Sequence, residues 1–97
     1  MIVLSLNYNP PFTDITNIHK EELEFDDGTS LNDVLIFLSE KYGEKLKDLI
    51  WDVKTDDGFH DRLTMIINGL ASREKKVLER ELKSGDRIWL AHSFFGG

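Results

Sequence analysis

The sequence predicts an α+β domain in which one long helix packs across one face of a mixed β-sheet. Residues 2–8 and 87–91, near the two ends of the chain, alternate apolar and polar positions with the period of a half-buried strand. Between them, residues 31–42 repeat apolar positions with the period of a helix. Because a single amphipathic helix must bury its apolar side, we expect it to lie on the sheet. A chain of 97 residues, 40% of them hydrophobic, suits one domain with a modest core.

The first half of the chain is expected to form two strands and the long helix. Ile2, Leu4, Leu6 and Tyr8 share one face of the first strand, and two prolines end it because proline has no N–H for a sheet ladder. We expect a polar connection without helix or strand to follow. Residues 22–25 alternate again, and we expect them to pair with the first strand in an antiparallel hairpin. The helix has an apolar stripe formed by Leu31, Val34, Leu35, Leu38 and Tyr42.

Local signals bound the helix and the later elements. Ser30 is a candidate N-cap and Gly43 lies just beyond the helix end. Residues 44–51 favour a short second helix, and residues 52–62 are polar and turn-rich. Residues 63–67 predict a third strand that closes at Asn68 and Gly69. Residues 73–82 predict irregular structure or a helical turn with a minor edge strand, and the last strand is expected beside the first.

Composition excludes several classes of function. Twelve basic residues against 18 acidic ones give a net charge of -6 without a basic cluster, so nucleic acid and anionic membranes are not expected partners. Because the chain has no cysteine, it has no disulfide, no zinc-thiolate site and no cysteine nucleophile. Any sulfur chemistry must therefore use sulfur from elsewhere. The absence of a membrane-length apolar run or a signal-like leader predicts a soluble, cytoplasmic protein.

The order of elements, β-β-α-β-β, is that of the ubiquitin-like β-grasp fold. We expect residues 1–91 to form this domain and residues 92–97 to be a flexible tail that protrudes by up to about 20 Å. The tail ends in Gly96 and Gly97. Residues without a Cβ give the thinnest chain, which could thread a narrow channel and place its terminal carboxylate in another protein's active site. A frayed end without chemistry is the alternative interpretation.

Three segments, in this order and with the terminal glycine pair, make the sequence resemble the MoaD/ThiS family of ubiquitin-like sulfur carriers, and most of all its MoaD branch. The segments are Gly28-Thr29-Ser30-Leu31-Asn32-Asp33-Val34-Leu35, Met65-Ile66-Ile67-Asn68-Gly69 and Leu82-Lys83-Ser84-Gly85-Asp86-Arg87-Ile88. In that family an E1-like activating enzyme uses ATP to adenylate the terminal glycine, and a sulfur source then converts it to a thiocarboxylate. MoaD-like carriers are the small subunit of molybdopterin synthase and pass the sulfur to a pterin precursor in its large subunit.

The resemblance implies a role for each tail residue. Gly97 would carry the reactive group, and Gly96 would keep the chain next to that group free of a side chain. The family usually has small or aliphatic residues before the glycines, whereas this chain has Phe94 and Phe95, which we expect either to anchor in an apolar groove of a partner or to fold back on their own sheet. We favour the partner. The chain is expected to be a carrier rather than an enzyme, with no permanently bound cofactor and no metal.

Alternative functions remain open at this point. The chain could carry sulfur for thiamine synthesis or transfer RNA thiolation, or be a protein modifier joined through Gly97 to lysines. It could also be a β-grasp interaction module whose tail has no chemistry.

Other candidate site residues carry less weight. His92 and Ser93 do not favour catalysis, because adjacent side chains on an extended segment point apart. An acidic segment does not fit a calcium-binding loop, because it lacks carboxylates at the first and last positions of such a loop, and we expect it to be a solvated loop. The segment contains Asp52, Asp56, Asp57, His60 and Asp61. His19 is expected at the surface, and Trp51 and Trp89 in the core or at an interface.

Overall fold

A computed structural model of the chain describes residues 1–93 and confirms the predicted α+β architecture. The strands are β1 (Ile2–Tyr8), β2 (Lys20–Phe25), β3 (Leu63–Ile67), β4 (Leu70–Ser72) and β5 (Arg87–His92). The α-helices are α1 (Phe12–Thr16), α2 (Leu31–Tyr42) and α3 (Glu44–Ile50), and a 3-10 helix spans Lys75–Glu79. Within residues 1–93, no helix is both long and apolar enough to cross a membrane.

The five strands form one mixed sheet in the order β2-β1-β5-β3-β4. Strand β1 pairs antiparallel with β2, which confirms the predicted hairpin, and parallel with β5, which confirms the predicted neighbour of the first strand. Strand β3 is antiparallel to both β5 and β4. The last strand therefore lies at the centre of the sheet, where both of its edges are paired.

Helix α2 covers one face of the sheet through the predicted stripe. Leu31, Val34, Leu35 and Leu38 are fully buried there. The helix begins with a capping box, in which Ser30 Oγ accepts the Asp33 N–H at 3.2 Å and Asp33 Oδ2 accepts the Ser30 N–H at 3.0 Å. The predicted N-cap is thus confirmed, and helix α3 confirms the predicted second helix.

Two elements differ from the sequence prediction. The connection after β1 contains helix α1, whose Phe12 is fully buried, where we expected only a polar link. The edge strand is β4 at Leu70–Ser72, before the segment in which we expected it. Asn68 and Gly69 both have positive φ, at 52° and 86°, so the chain folds straight back along β3 and its edge strand begins at once. The predicted helical turn in the following segment is present as the 3-10 helix.

Strand β5 extends to His92, so the sheet includes the first residue that we assigned to the tail. His92 pairs with Leu63 at the start of β3, and the pairing holds it in the ladder. The predictions for Phe94, Phe95, Gly96 and Gly97 lie outside the described residues and stay predictions.

Candidate functional site at the end of the last strand

The described part of the candidate site is the end of β5, where the chain leaves the sheet toward the predicted reactive terminus. Because β5 is parallel to β1 and antiparallel to β3, its last residues lie near the end of β1 and the start of β3. The Asn9 N–H donates to the Leu90 carbonyl at 3.0 Å and continues the β1 ladder beyond the strand. The exit point is therefore built from several elements of the fold.

His92 is the central side chain of this exit point. Its Nε2 donates to the carbonyl oxygen of Leu49, in the last turn of α3, at 2.7 Å, which fixes a proton on Nε2 because a carbonyl only accepts. The ring of Phe12 lies nearly perpendicular to the imidazole with centroids 5.5 Å apart, and His60 stacks on the imidazole with centroids 4.3 Å apart. The half-buried ring thus contacts α1, α3 and the loop before β3.

The surroundings of His92 favour its neutral form. Burial lowers the pKa of the imidazole, and the nearby His60 and Arg62 lower it further, whereas the hydrogen bond to Leu49 opposes them in part. His60 Nδ1 accepts the Arg62 N–H at 3.1 Å, so this loop holds its own histidine in place. The two stacked rings thus each make a hydrogen bond to the backbone, His92 to the Leu49 carbonyl and His60 to the Arg62 N–H.

Ser93 is the last described residue and is also tied to the domain. Its N–H donates to the Arg62 carbonyl at 2.9 Å. Four residues follow it, and a chain of four residues spans at most about 14 Å. The domain therefore holds the chain as far as Ser93, four positions before Gly97.

The acidic segment before β3 is held by contacts within the protein. Asp57 accepts from the Phe59 N–H at 3.0 Å and from Arg73 Nε at 3.1 Å. The hydrogen bond from the Phe59 backbone lowers the pKa of Asp57, and Arg73 adds to this effect. Within residues 1–93, no group of three or more acidic or histidine side chains is arranged to hold a metal ion.

The two tryptophans lie in different environments, and His19 is at the surface as predicted. Trp51 stacks on Phe59 with ring centroids 5.2 Å apart and packs against the core. Trp89 is 39% exposed and lies opposite Ile66 on β3 and Asn7 on β1, on the sheet face away from α2. It is therefore an interface candidate rather than a core residue. His19 is exposed.

Sequence reasoning missed the anchoring contacts of His92 with Leu49 and of Ser93 with Arg62. One signal was available for His92. It follows Ile88 and Leu90 at the two-residue spacing of the buried strand face. Strand alternation therefore places its side chain on the same face as theirs. The partners themselves carry no such signal, because Leu49 and Arg62 contribute backbone carbonyl oxygens.

Comparison with known proteins decides the family. The ThiS family pattern matches residues 6–97, nearly the whole chain including both terminal glycines. The chain belongs to the ThiS family. Members of this family are small ubiquitin-like carrier proteins that act with E1-like activating enzymes. No curated protein matches the sequence of this ThiS-family chain significantly.

Solved structures share the fold of this ThiS-family chain. The small archaeal modifier protein 1 from Methanosarcina acetivorans is 23% identical, with a TM-score of 0.76 over 100% of this chain and 98% of that one. A Pyrococcus furiosus protein described as molybdopterin converting factor, subunit 1, is 20% identical, with a TM-score of 0.71 over 93% of this chain and 95% of that one. Urm1 from Trypanosoma brucei is 15% identical, with a TM-score of 0.73 over 98% and 95%. At these identities the likeness establishes the ubiquitin-like β-grasp fold.

Proposed function

We propose that this ThiS-family chain is a sulfur carrier that works as the small subunit of molybdopterin synthase. Gly97 is adenylated by an E1-like activating enzyme, converted to a thiocarboxylate, and then gives its sulfur to a pterin precursor in the large subunit. The observation that carries the proposal is the family match, which runs through Gly96 and Gly97. The placement of β5 supports it, because the chain leaves the sheet from a strand held on both edges.

The chemistry needs an activated terminus because a carboxylate is a poor acyl donor. A carboxylate oxygen of Gly97 attacks the α-phosphorus of ATP, and pyrophosphate leaves. Hydrosulfide then attacks the acyl carbon, AMP leaves with the bonding electron pair, and one proton is released to give the thiocarboxylate. The activating enzyme binds the ATP, and this chain supplies the carboxylate. Glycine at the last two positions removes side chains that would obstruct a narrow site.

Phe94 and Phe95 are proposed to anchor the tail on an apolar groove of the partner. Two adjacent aromatic side chains offer a large apolar area, which favours burial in a complex. Replacing both by alanine should weaken binding to the large synthase subunit and leave the unfolding of the isolated domain unchanged. A matched loss of domain stability would instead favour the alternative, in which the two rings fold back on their own sheet.

The direct test is intact-mass spectrometry of the purified chain. The chain is incubated with Mg-ATP, sulfide and the E1-like activating enzyme of the same organism. We expect the mass gain of one oxygen-to-sulfur exchange, located at the C-terminal peptide, and no gain without ATP or in a variant lacking Gly97. An unchanged mass under the complete conditions would contradict the carrier function.

A protein modifier is the second candidate, because structural relatives are described as small archaeal modifier protein 1, and the one from Methanosarcina acetivorans shares the fold at a TM-score of 0.76. Adding the large synthase subunit and the pterin precursor to the thiocarboxylated chain separates the two functions. Consumption of the thiocarboxylate with formation of molybdopterin supports the synthase role. Adducts on lysines of cellular proteins that disappear when Gly97 is deleted, without pterin turnover, support the modifier role.

A further inference from the structure

The side chain of His92 links the last strand to the end of a helix that is distant in sequence. Its Nε2 donates to the Leu49 carbonyl in the last turn of α3 at 2.7 Å. The last carbonyls of a helix have no partner within the helix. In this turn the Lys47 carbonyl accepts the Trp51 N–H and the Ile50 carbonyl accepts the His60 N–H. His92 thus provides the acceptor at Leu49 with a donor from another element.

Packing holds the imidazole in the orientation that this hydrogen bond needs. The ring of Phe12 in α1 packs against the imidazole at an angle of 89° between the planes, and His60 stacks on the imidazole at 25°. The backbone of His92 is at the same time paired with Leu63 in the sheet. Both the backbone and the side chain of this residue are therefore fixed, immediately before the chain leaves the domain.

We propose that His92 is a positioning residue that fixes the point from which the C-terminal segment departs. By tying the end of β5 to α3, it holds Ser93 where its N–H reaches the Arg62 carbonyl. This inference deepens the proposed function and rests on it, because the departing segment carries Gly97.

Fixing the departure point shortens the segment that an activating enzyme must capture. If residues 92 and 93 were released from the domain, the enzyme would have to order these two residues as well when it binds the C-terminal segment. Ordering additional residues costs conformational entropy on binding. Once the terminus is held in the enzyme's site, the chemical step is the same for either length. Loss of the anchor should therefore raise KM and leave kcat nearly unchanged.

Three variants test the role of His92. His92→Ala removes the donor, and His92→Gln keeps an Nε2 donor at a similar distance from the backbone but has no ring. His19→Ala is the matched control, because it removes an exposed histidine from the loop before β2. All three are made in the full-length chain and compared with the parent sequence. Their folding is checked by the NMR amide signals of residues in β1 and β3.

The first readout is hydrogen exchange of the Ser93 amide in the isolated protein. We expect His92→Ala to speed this exchange about tenfold relative to the core amides, the effect of losing one hydrogen bond of ordinary strength. His92→Gln should restore most of the protection, and His19→Ala should match the parent chain. Unchanged exchange at Ser93 in His92→Ala overturns the proposal, and it does so whether or not the chain is a sulfur carrier.

The second readout is the rate of ATP-dependent adenylation by the E1-like enzyme. We expect His92→Ala to raise KM about tenfold with kcat within twofold, and His92→Gln to lie close to the parent chain. An unchanged KM in His92→Ala overturns the positioning role. If the parent chain itself is not adenylated, the proposed function fails, and exchange at Ser93 alone then decides whether His92 fixes the departure point.

Discussion

Tyr8 of β1 donates a hydrogen bond of 2.7 Å from its hydroxyl to Glu21 Oε2 of β2. The same oxygen accepts the hydroxyl of Tyr42 at the end of α2, and Glu21 Oε1 accepts Lys41 Nζ at 2.8 Å. The two tyrosine rings meet edge to face with centroids 6.2 Å apart. One carboxylate thus joins two strands of the sheet to the helix that covers them.

Removing this carboxylate should destabilise the domain strongly. We expect Glu21→Ala to lower the free energy of unfolding by about 3 kcal/mol, because it leaves the fully buried Tyr8 hydroxyl without its acceptor. Tyr42→Phe removes one donor and keeps the acceptor paired, so it should cost about 1 kcal/mol. Urea unfolding followed by tryptophan fluorescence measures both. Glu24→Ala, at an exposed position of the same strand, should change stability by less than about 0.5 kcal/mol.

The same network predicts a pH dependence. Burial alone would raise the pKa of Glu21, but hydrogen bonds from Lys41, Tyr42 and Tyr8 outweigh it and lower the pKa below its ordinary value of 4.5. Because the folded protein holds this carboxylate ionised more firmly than the unfolded chain does, the stabilisation is present above pH 4.5 and is lost as the pH falls through the folded pKa.

The measurement is the difference in unfolding free energy between the parent chain and Glu21→Gln. We expect this difference to shrink as the pH falls from about 6 to about 3. Asp57 and Asp86 also have lowered pKa values, but both proteins contain them, so their contribution cancels in the difference. A difference that stays constant over this range would contradict the prediction.

The turn between β3 and β4 depends on Gly69. Its φ of 86° is unfavourable for a residue with a Cβ, although no atom lies within 4 Å of the position that a Cβ would take. We expect Gly69→Ala to lower the free energy of unfolding by about 1 kcal/mol through backbone strain alone. Gly69→Asn should cost less, since asparagine adopts this conformation more readily. Equal losses in thermal or urea unfolding would point to a cause other than the backbone conformation.

The strands and the long helix could be predicted because their signals are local. The alternation of Leu4 and Leu6, and of Ile88 and Leu90, reports which face of the sheet is buried without knowledge of the partner strand. Ser30 likewise caps the helix through Asp33, only three residues away. Helix α1 escaped prediction because it has five residues, too few for periodicity, and is held by the burial of Phe12.

The described part of the site could not be predicted in the same way because its contacts join distant segments. His92 and Leu49 are 43 positions apart, and Leu49 contributes only a carbonyl oxygen, which every residue has. The alternation of β5 could place the His92 side chain on the buried face, but not name its acceptor. Only the packing of α3 against the sheet brings the two together.

The environment of His92 predicts a loss of stability under mildly acidic conditions. Burial lowers its pKa, the facing His60 and Arg62 lower it further, and Phe12 and Leu49 add no charge to the contact. As the pH falls below about 6.5, the ordinary value, the unfolded chain binds a proton at this position before the folded protein does. The free energy of unfolding therefore decreases with falling pH until the folded ring is also protonated.

The variant His92→Gln tests this prediction, because glutamine keeps a donor for Leu49 but does not titrate. We expect the unfolding free energy of the variant to fall less than that of the parent chain between about pH 7 and pH 5. The two slopes should differ by no more than about 1.4 kcal/mol per pH unit, the limit for one proton. Chemical unfolding across this range measures both profiles. An equally steep profile in His92→Gln would assign the pH dependence to another group.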